Sequence, residues 1–209
     1  LKTGINNSKY NTIAITDADN TYPNEKIIEF YDMVMNQKLD MLVGARIGQN
    51  VKIPVIRRPA KKILQVLANY LANYKIPDLN SGLRIMKKSI VKKFYKILPD
   101  GFSFTTTITL AMITNNYQVS FEKINYYSRT GSSKIRPIYD TLNFIQLIVR
   151  TVLLFNPLKI FLPVSLFMFL ISFILIIYRI FIAESFGVIS IILFVGAIQV
   201  LAIGMLADL

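Results

Sequence analysis

Residues 12–25 read TIAITDADNTYPNE, and this stretch decides the fold because it joins a strand signal to a helix signal. Its β-branched first part ends abruptly at Asp17 and Asp19, which is typical of a short strand followed by a polar turn. Pro23 suits the first turn of a helix, and apolar residues at helical spacing follow it through about Gln37. The apolar face predicted for this helix consists of Ile27, Ile28, Tyr31, Val34 and Met35.

Strands and helices continue to alternate outward from this stretch. The further predicted elements are a strand at 41–43, helices over 59–74, near 88–98 and over 104–115, and a strand through 118–127. Short apolar strands that alternate with helices indicate an α/β sheet domain.

The last quarter of the chain has a different character. Residues 160–178 and 185–207 contain no charged side chain. Each run is long enough to cross a hydrocarbon core of roughly 30 Å, which takes about 20 helical residues. The short connection at 179–184 predicts that the two spans form a hairpin.

The sequence before the hairpin indicates how the chain meets a membrane. Basic residues precede the first span, among them Arg136, Arg150 and Lys159, so the positive-inside tendency predicts a large domain on the cytoplasmic side. The stretch 138–156 is apolar on much of its surface and is predicted to lie along the interface as an amphipathic helix. The predicted organisation is a catalytic domain over 1–136, a juxtamembrane helix over 137–158 and two spans, at about 160–182 and 185–207, within 159–209.

The charge of the chain restricts its chemistry. The formal net charge is +12, and all of it lies before residue 159 because the four charged residues from Lys159 onward cancel. Such a basic excess favours phosphate-rich partners: nucleic acid, anionic lipid headgroups or nucleotide diphosphates. The chain has no cysteine and no histidine, which excludes thiolate nucleophiles, imidazole bases and His-ligated zinc within it.

Asp17 and Asp19 are the first candidate site. Side chains two residues apart after a strand point the same way, and two carboxylates this close repel each other unless a cation lies between or beside them. Oxygen ligands with an incomplete coordination shell suit Mg²⁺ or Mn²⁺, which would bring nucleotide phosphates as further ligands.

Four further motifs follow the acidic pair in order. They are VGAR at 43–46, Arg57-Arg58, DLNSGLR at 78–84 and RTGSSK at 129–134. With TDADNTYPNE, this ordered set resembles the family 2 inverting glycosyltransferases of the nucleotide-diphospho-sugar transferase (GT-A) fold. The subgroup it resembles contains dolichol-phosphate mannose synthase and the bacterial polyprenyl-phosphate glycosyltransferases, and the likeness covers roughly residues 9–207.

The resemblance implies a role for each motif. It implies that Asp17 and Asp19 bind Mg²⁺ or Mn²⁺ and are catalytic together with Arg84. The residues implied to bind the donor phosphates are Arg46, Ser81, Gly82 and Arg84. Those implied to bind the phosphate of the acceptor lipid are Arg57, Arg58, Arg129, Ser133 and Lys134.

The resemblance also implies partners and a fold. The partners would be a nucleotide-diphospho-sugar, a polyprenyl or dolichyl phosphate, membrane lipid and a further copy of the chain, with no nucleic acid. The fold would be a GT-A sheet domain without its first strands, followed by interfacial helices and the hairpin. Because the nucleotide-binding loop would belong to the missing part, the 209 residues alone are expected to be inactive.

Two features of the sequence separate the alternatives. The chain has no tryptophan, so the QxxRW signature of processive polysaccharide synthases is absent from it. Residues 102–107 read FSFTTT, without the carboxylate that many family 2 enzymes use as a base, and this favours an acceptor that is already anionic. The alternatives are a membrane-tethered transferase acting on a hydroxyl and a non-catalytic membrane adaptor. Thr21 stands where the subgroup often has glutamine, so the ligands of the metal differ there.

Overall fold

The structure, a computed structural model, describes residues 1–47, 58–100, 103–127, 137–181 and 187–209. The chain divides into two compact units, Leu1–Thr151 and Val152–Leu209.

The first unit is organised by a mixed sheet, which has four strands in the described residues. The strands are β1 (Thr12–Ile15), β2 (Met41–Arg46), β3 (Arg84–Lys87) and β4 (Val119–Ile124), in the order β1-β3-β2-β4. Strand β3 is antiparallel to both of its neighbours, whereas β2 and β4 are parallel. The three predicted strands are confirmed, and β3 is an addition that the sequence analysis missed. Its four residues, RIMK, are too short and too charged at both ends to show an alternating pattern.

Helices connect and flank these strands. They are α1 (Lys2–Asn7), α2 (Ile27–Asn36, after a 3₁₀ turn at Asn24–Lys26), α3 (Arg58–Ala72), α4 (Lys88–Lys93), α5 (Phe104–Thr114) and α6 (Pro137–Leu153). Helices α2 to α6 lie where the sequence predicts them, although α4 is shorter than the stretch near 88–98.

The face that α2 buries agrees only in part with the predicted one, because Val34 is buried and Ile27 packs against the core, as predicted. Phe30 and Val34 are fully buried against the sheet, whereas Ile28 is 75% exposed and Tyr31 and Met35 are also exposed. The helix is apolar on two sides, so spacing alone cannot tell which side meets the sheet. The outward side borders an open groove, and the groove is lined by Thr12, Ile13, Ala14, Ile27, Ile28, Tyr31 and Ile85.

The second unit is a helical hairpin of α7 (Leu158–Phe181) and α8 (Val188–Asp208). Both helices are long and apolar enough to cross a membrane, as the sequence predicts. Small residues let them approach closely, because a Cβ added at Gly204 would lie 2.5 Å from Cβ of Phe161. The Ser172 hydroxyl also donates a 2.7 Å hydrogen bond to the carbonyl oxygen of Ser190.

Candidate active site

The turn after β1 holds Asp19 in a fixed orientation. Oδ1 of Asp19 accepts hydrogen bonds from the backbone N–H of Thr21 at 3.3 Å and from its hydroxyl at 2.6 Å. Asn20 adopts a left-handed conformation with φ of 56°, which asparagine tolerates better than most residues. Thr21 is fully buried, so it holds the carboxylate of Asp19 from the interior side of the turn.

Asp17 lies against the SGLR motif. A Cβ added at Gly82 would lie 2.8 Å from Oδ2 of Asp17 and 3.0 Å from its Cγ. Only glycine therefore leaves room for this carboxylate in its present position. The N–H of Gly82 donates to the phenolic oxygen of Tyr22 at 2.7 Å, and the Ser81 hydroxyl donates to the carbonyl of Gly44. The structure thus brings together Asp17, Ser81 and Gly82, which lie far apart in the sequence.

Arg46 forms a two-pronged ion pair with Asp78. Its Nε lies 2.7 Å from Oδ2 of Asp78, its Nη2 lies 2.9 Å from Oδ1, and its backbone N–H also donates to Oδ2 at 3.0 Å. Burial lowers the pKa of Arg46, but the hydrogen bonds and charge of Asp78 outweigh it, so the pKa is raised overall. The Asp78 side chain is only 1% exposed and that of Arg46 is 22% exposed, so the arginine is the member of the pair that reaches solvent.

Two tyrosines connect Arg46 to the acidic turn. The guanidinium carbon of Arg46 lies 5.2 Å from the centre of the Tyr126 ring, within the range of a cation–π contact. The Tyr126 ring meets the Tyr22 ring edge to face, with their centres 5.2 Å apart. Because Tyr22 also accepts the N–H of Gly82, this pair of rings fixes the distance between the Asp17 and Arg46 ends of the site.

Arg84 is placed differently from the sequence-based prediction. It was predicted to bind phosphate, yet the whole residue is buried. Its Nη1 donates to the Thr105 carbonyl and the Thr109 hydroxyl at 3.1 Å each, and its Nη2 donates to the Ser81 carbonyl. Burial lowers its pKa to about 10, which still leaves it charged at neutral pH. Arg84 therefore has no surface to offer a phosphate in this structure, and it fixes the Ser81 backbone from inside the domain.

Helix α5 supports the same motif through its threonines. The Thr106 hydroxyl donates to Oδ1 of Asn80, and the backbone N–H of Asn80 donates to Oδ1 of Asp78 at 3.3 Å. The start of this helix carries no carboxylate, and the Thr106 hydroxyl forms the hydrogen bond to the motif instead.

Several residues of this site were given no role by the sequence analysis, namely Tyr22, Asp78, Asn80, Thr106, Thr109 and Tyr126. The signal for Asp78 and Asn80 was available, since both lie in the DLNSGLR motif. Tyr22 and Tyr126 carry no comparable signal, because a tyrosine near a turn is common in any sheet domain.

The residues predicted to bind the acceptor phosphate are not placed. Arg57, Arg129, Ser133 and Lys134 lie outside the described residues, and Arg58 begins α3 with its side chain not described. Their role stays a prediction.

The oxygen donors at Asp17 and Asp19 fit a divalent cation. No group of three or more acidic side chains occurs in the described residues, so the protein would supply only part of a coordination shell. Mg²⁺ is commonly bound by one or two carboxylates together with substrate phosphates, and this arrangement needs no third acidic residue. Family 2 glycosyltransferases commonly use divalent metals.

Comparison with known proteins found two matches. Residues 156–209 match the family described as the GtrB C-terminal hairpin. A 126-residue stretch is 27% identical to the dolichyl-phosphate hexose transferase of Haloferax volcanii, over 60% of this chain and 54% of that protein. Both matches show a likeness to enzymes that act on polyprenyl or dolichyl phosphates, in the hairpin for the first and over 126 residues for the second. It spans about half the length of the curated relative that it matches.

The two-part architecture agrees with these likenesses. The mixed sheet with its helices agrees with a partial GT-A domain, and the two apolar helices agree with the hairpin of the family. The predicted fold class is therefore confirmed.

Proposed function

We propose that the protein transfers a hexose from a nucleotide-diphospho-sugar to a polyprenyl or dolichyl phosphate at the membrane surface. The observation that carries this proposal is the packing of the Asp17 carboxylate on Gly82, with the Arg46–Asp78 pair held nearby by Tyr22 and Tyr126. A pair of carboxylates and a guanidinium thus lie at two ends of one connected group of side chains. The name of the Haloferax volcanii relative, dolichyl-phosphate hexose transferase, supports the same class of reaction.

The acidic end of the site suits the donor. Asp17 and Asp19 would hold Mg²⁺ or Mn²⁺, and a bound cation there would neutralise charge on the departing diphosphate. Thr21 keeps one oxygen of Asp19 in place, and Gly82 keeps room for Asp17. This chain therefore contributes an Asp19 carboxylate that is held in orientation and an Asp17 carboxylate with room beside Gly82, before any substrate arrives.

The basic end suits a phosphate. Asp78 occupies Nε and Nη2 of Arg46, so the guanidinium is locked in one orientation. Among the described residues its Nη1 has no hydrogen-bond partner, and the side chain is partly exposed, so the N–H groups of Nη1 are available to phosphate oxygens. Asp78 is a positioning residue in this proposal.

The acceptor needs no protein base. Asp78 is almost fully buried and bound by Arg46, so it is poorly placed to take a proton from a substrate. A lipid phosphate is already anionic near neutral pH, so its oxygen can attack the anomeric carbon directly. The new carbon–oxygen bond forms as the bond to the nucleoside diphosphate breaks, and the anomeric configuration inverts. Arg57, Arg58, Arg129, Ser133 and Lys134 are proposed to hold that lipid phosphate.

The hairpin would keep the enzyme at its lipid substrate. Two spans would make the protein multi-pass, with the catalytic domain on the cytoplasmic side as the basic residues before α7 suggest. Confining enzyme and acceptor to one membrane raises the frequency with which they meet.

The decisive experiment measures transfer by the full-length protein in lipid vesicles. Radiolabelled nucleotide hexoses are supplied with polyprenyl phosphate and Mg²⁺ or Mn²⁺, and the labelled lipid is counted. Asp19→Ala should lower the rate by about 100-fold or more, because it removes an oriented charge at the reacting diphosphate. Asp100→Ala is the matched control, since that carboxylate is 88% exposed and pairs with Lys2 on the surface.

The outcomes separate the alternatives. A sugar monophosphate lipid made only with divalent cation supports the proposal. Transfer to polyprenol or a glycan, with none to polyprenyl phosphate, would instead show a hydroxyl acceptor. Failure of the wild-type protein to bind any nucleotide hexose in the presence of divalent cation would favour an adaptor.

A further inference from the structure

One polar side chain lies within the hairpin without an evident role. Gln199 is near the middle of α8, and it is the one side-chain amide in the sequences of α7 and α8. The side chain is exposed, and it forms no hydrogen bond with another described residue. In a membrane-spanning helix, an exposed residue at this depth faces hydrocarbon rather than water.

Gln199 lies on the side of α8 that turns away from α7. The helix packs on α7 through three small residues at seven-residue spacing, Ser190, Ala197 and Gly204, all of which are buried. Gln199 follows Ala197 by two residues, which is about 200° of rotation at 3.6 residues per turn. The amide therefore points to the face opposite the one that α7 covers.

The same outward face is otherwise apolar. Val195, Ala202 and Leu206 lie one or two turns from Gln199 on this side, and all three are exposed. Ala202 is small enough to let another helix approach closely. The face thus combines one polar group with a surface that could pack against a helix.

An amide in hydrocarbon is unfavourable unless it is hydrogen-bonded. The carbonyls near the centre of an α-helix are already used by the helix itself, and lipid tails offer neither donor nor acceptor. A carboxamide is both donor and acceptor, so two of them can bond each other reciprocally. A second copy inserted with the same topology places its own Gln199 at the same depth, which an unrelated helix does not guarantee.

We propose that this face of α8 is an interface with a second copy of the chain, in which the two Gln199 amides pair across a twofold axis in the membrane. The axis runs along the membrane normal, because both copies share one topology. Such an isologous contact is the commonest arrangement of homodimers. The proposal does not depend on the reaction that the protein catalyses.

Cysteine cross-linking tests this interface directly. The printed sequence contains no cysteine, so probes can be introduced one at a time into the full-length protein, after replacement of any cysteine elsewhere in it. Val195→Cys and Leu206→Cys lie on the Gln199 face, whereas Met205→Cys lies on the flank of the same helix and is also exposed. In lipid vesicles under mild oxidation, the first two should form disulfide-linked dimers and the third should not.

A second variant tests the amide itself. Gln199→Leu keeps an apolar helix that stays in the membrane, and it should weaken dimerisation by about 3- to 30-fold, the range of one interhelical hydrogen bond. Gln199→Asn should retain most of the dimer because it keeps the amide. The proposal is overturned if adding Gln199→Leu to Leu206→Cys leaves its cross-linking unchanged, or if Met205→Cys cross-links as well as Leu206→Cys. It is also overturned if the protein is monomeric by mass in nanodiscs.

Discussion

The two units of this protein both bury polar side chains, but they use them in opposite ways. In the sheet domain the buried polar groups include Asp78, Arg84 and Thr106. Asp78 and Arg84 belong to the DLNSGLR motif, and Thr106 hydrogen-bonds to Asn80 of the same motif. In the hairpin the buried polar groups in the described helices are the serines Ser165, Ser172 and Ser190. Two of these three join the helices through one hydrogen bond. Polar burial therefore holds the DLNSGLR motif in place in the first unit and accompanies close helix packing in the second.

The difference follows from what surrounds each unit. A sheet domain in water can leave a polar group at its surface at no cost, so a polar group that is buried there must be compensated by partners. A hairpin in lipid gains nothing from apolar burial, so its contacts depend on close fit and on small side chains. Substitutions at matched residues in the two units test this contrast.

The largest effect is expected from Arg84→Ala. The substitution removes the buried guanidinium that donates to the Ser81 and Thr105 carbonyls, and it opens a cavity. We expect the free energy of unfolding of the sheet domain to fall by about 3 to 5 kcal/mol. Denaturant unfolding followed by near-ultraviolet circular dichroism measures this.

Lys87→Ala is the matched control for Arg84. It lies on the same strand and loses a 2.8 Å ion pair with Asp40, but its side chain is 33% exposed. The loss should be at most about 1 kcal/mol because the solvent screens the pair. Equal losses of unfolding free energy for the two variants would show that the buried guanidinium of Arg84 stabilises the domain no more than an exposed ion pair does.

A middle effect is expected from Gly204→Ala in the hairpin. The new Cβ would lie 2.5 Å from Cβ of Phe161, an atom fixed to the helix backbone, so α7 and α8 must separate. We expect a loss of about 1 to 3 kcal/mol. Gly196→Ala is the control, because its Cβ would lie 3.1 Å from the terminal methyl of Met168, which can move aside. Thermal unfolding of the full-length protein in detergent should separate the two variants, and an equal loss would contradict the close-packing argument.

The hairpin was predictable because one signal determines it. Two uncharged runs with a short connection fix both helices, and the observed bounds, Leu158–Phe181 and Val188–Asp208, agree with the predicted spans. The sheet domain was less predictable because its elements depend on contacts between distant residues. Strand β3 has no periodicity of its own. The buried side of α2 was predicted only in part, with Val34 right and Ile28, Tyr31 and Met35 wrong, because both sides of the helix are apolar.

The site shows the same limit at the level of single residues. Motif order placed Asp17, Ser81 and Gly82 in one site, and the structure brings them into contact. Motif order could not show that Arg84 points inward, because the direction of a side chain depends on which strand pairs with which. The role of Asp78 as the partner of Arg46 depends on a contact across 32 residues, which no local pattern records.

The smallest effect on stability, and the sharpest test of the site, is expected from Gly82→Ala. The new Cβ would lie 2.8 Å from Oδ2 of Asp17, but this atom ends a flexible and exposed side chain that can turn away. The free energy of unfolding should therefore change by less than about 1 kcal/mol. The carboxylate must leave its present position, so Mg²⁺ or Mn²⁺ should be needed at about 10-fold higher concentration, a change of about 1.4 kcal/mol.

Gly4→Ala is the control for Gly82→Ala, because a Cβ there meets nothing within 4 Å. It should leave the metal requirement unchanged and should slightly stabilise α1, since alanine favours a helix more than glycine does. Metal titration of transfer by the full-length protein gives the first quantity, and Mn²⁺ binding followed by electron paramagnetic resonance gives it without turnover. Suppose that Gly82→Ala binds Mn²⁺ as tightly as the parent does. The contact between Asp17 and Gly82 is then a packing contact like that at Gly204, and the contrast between the two units does not hold at this glycine.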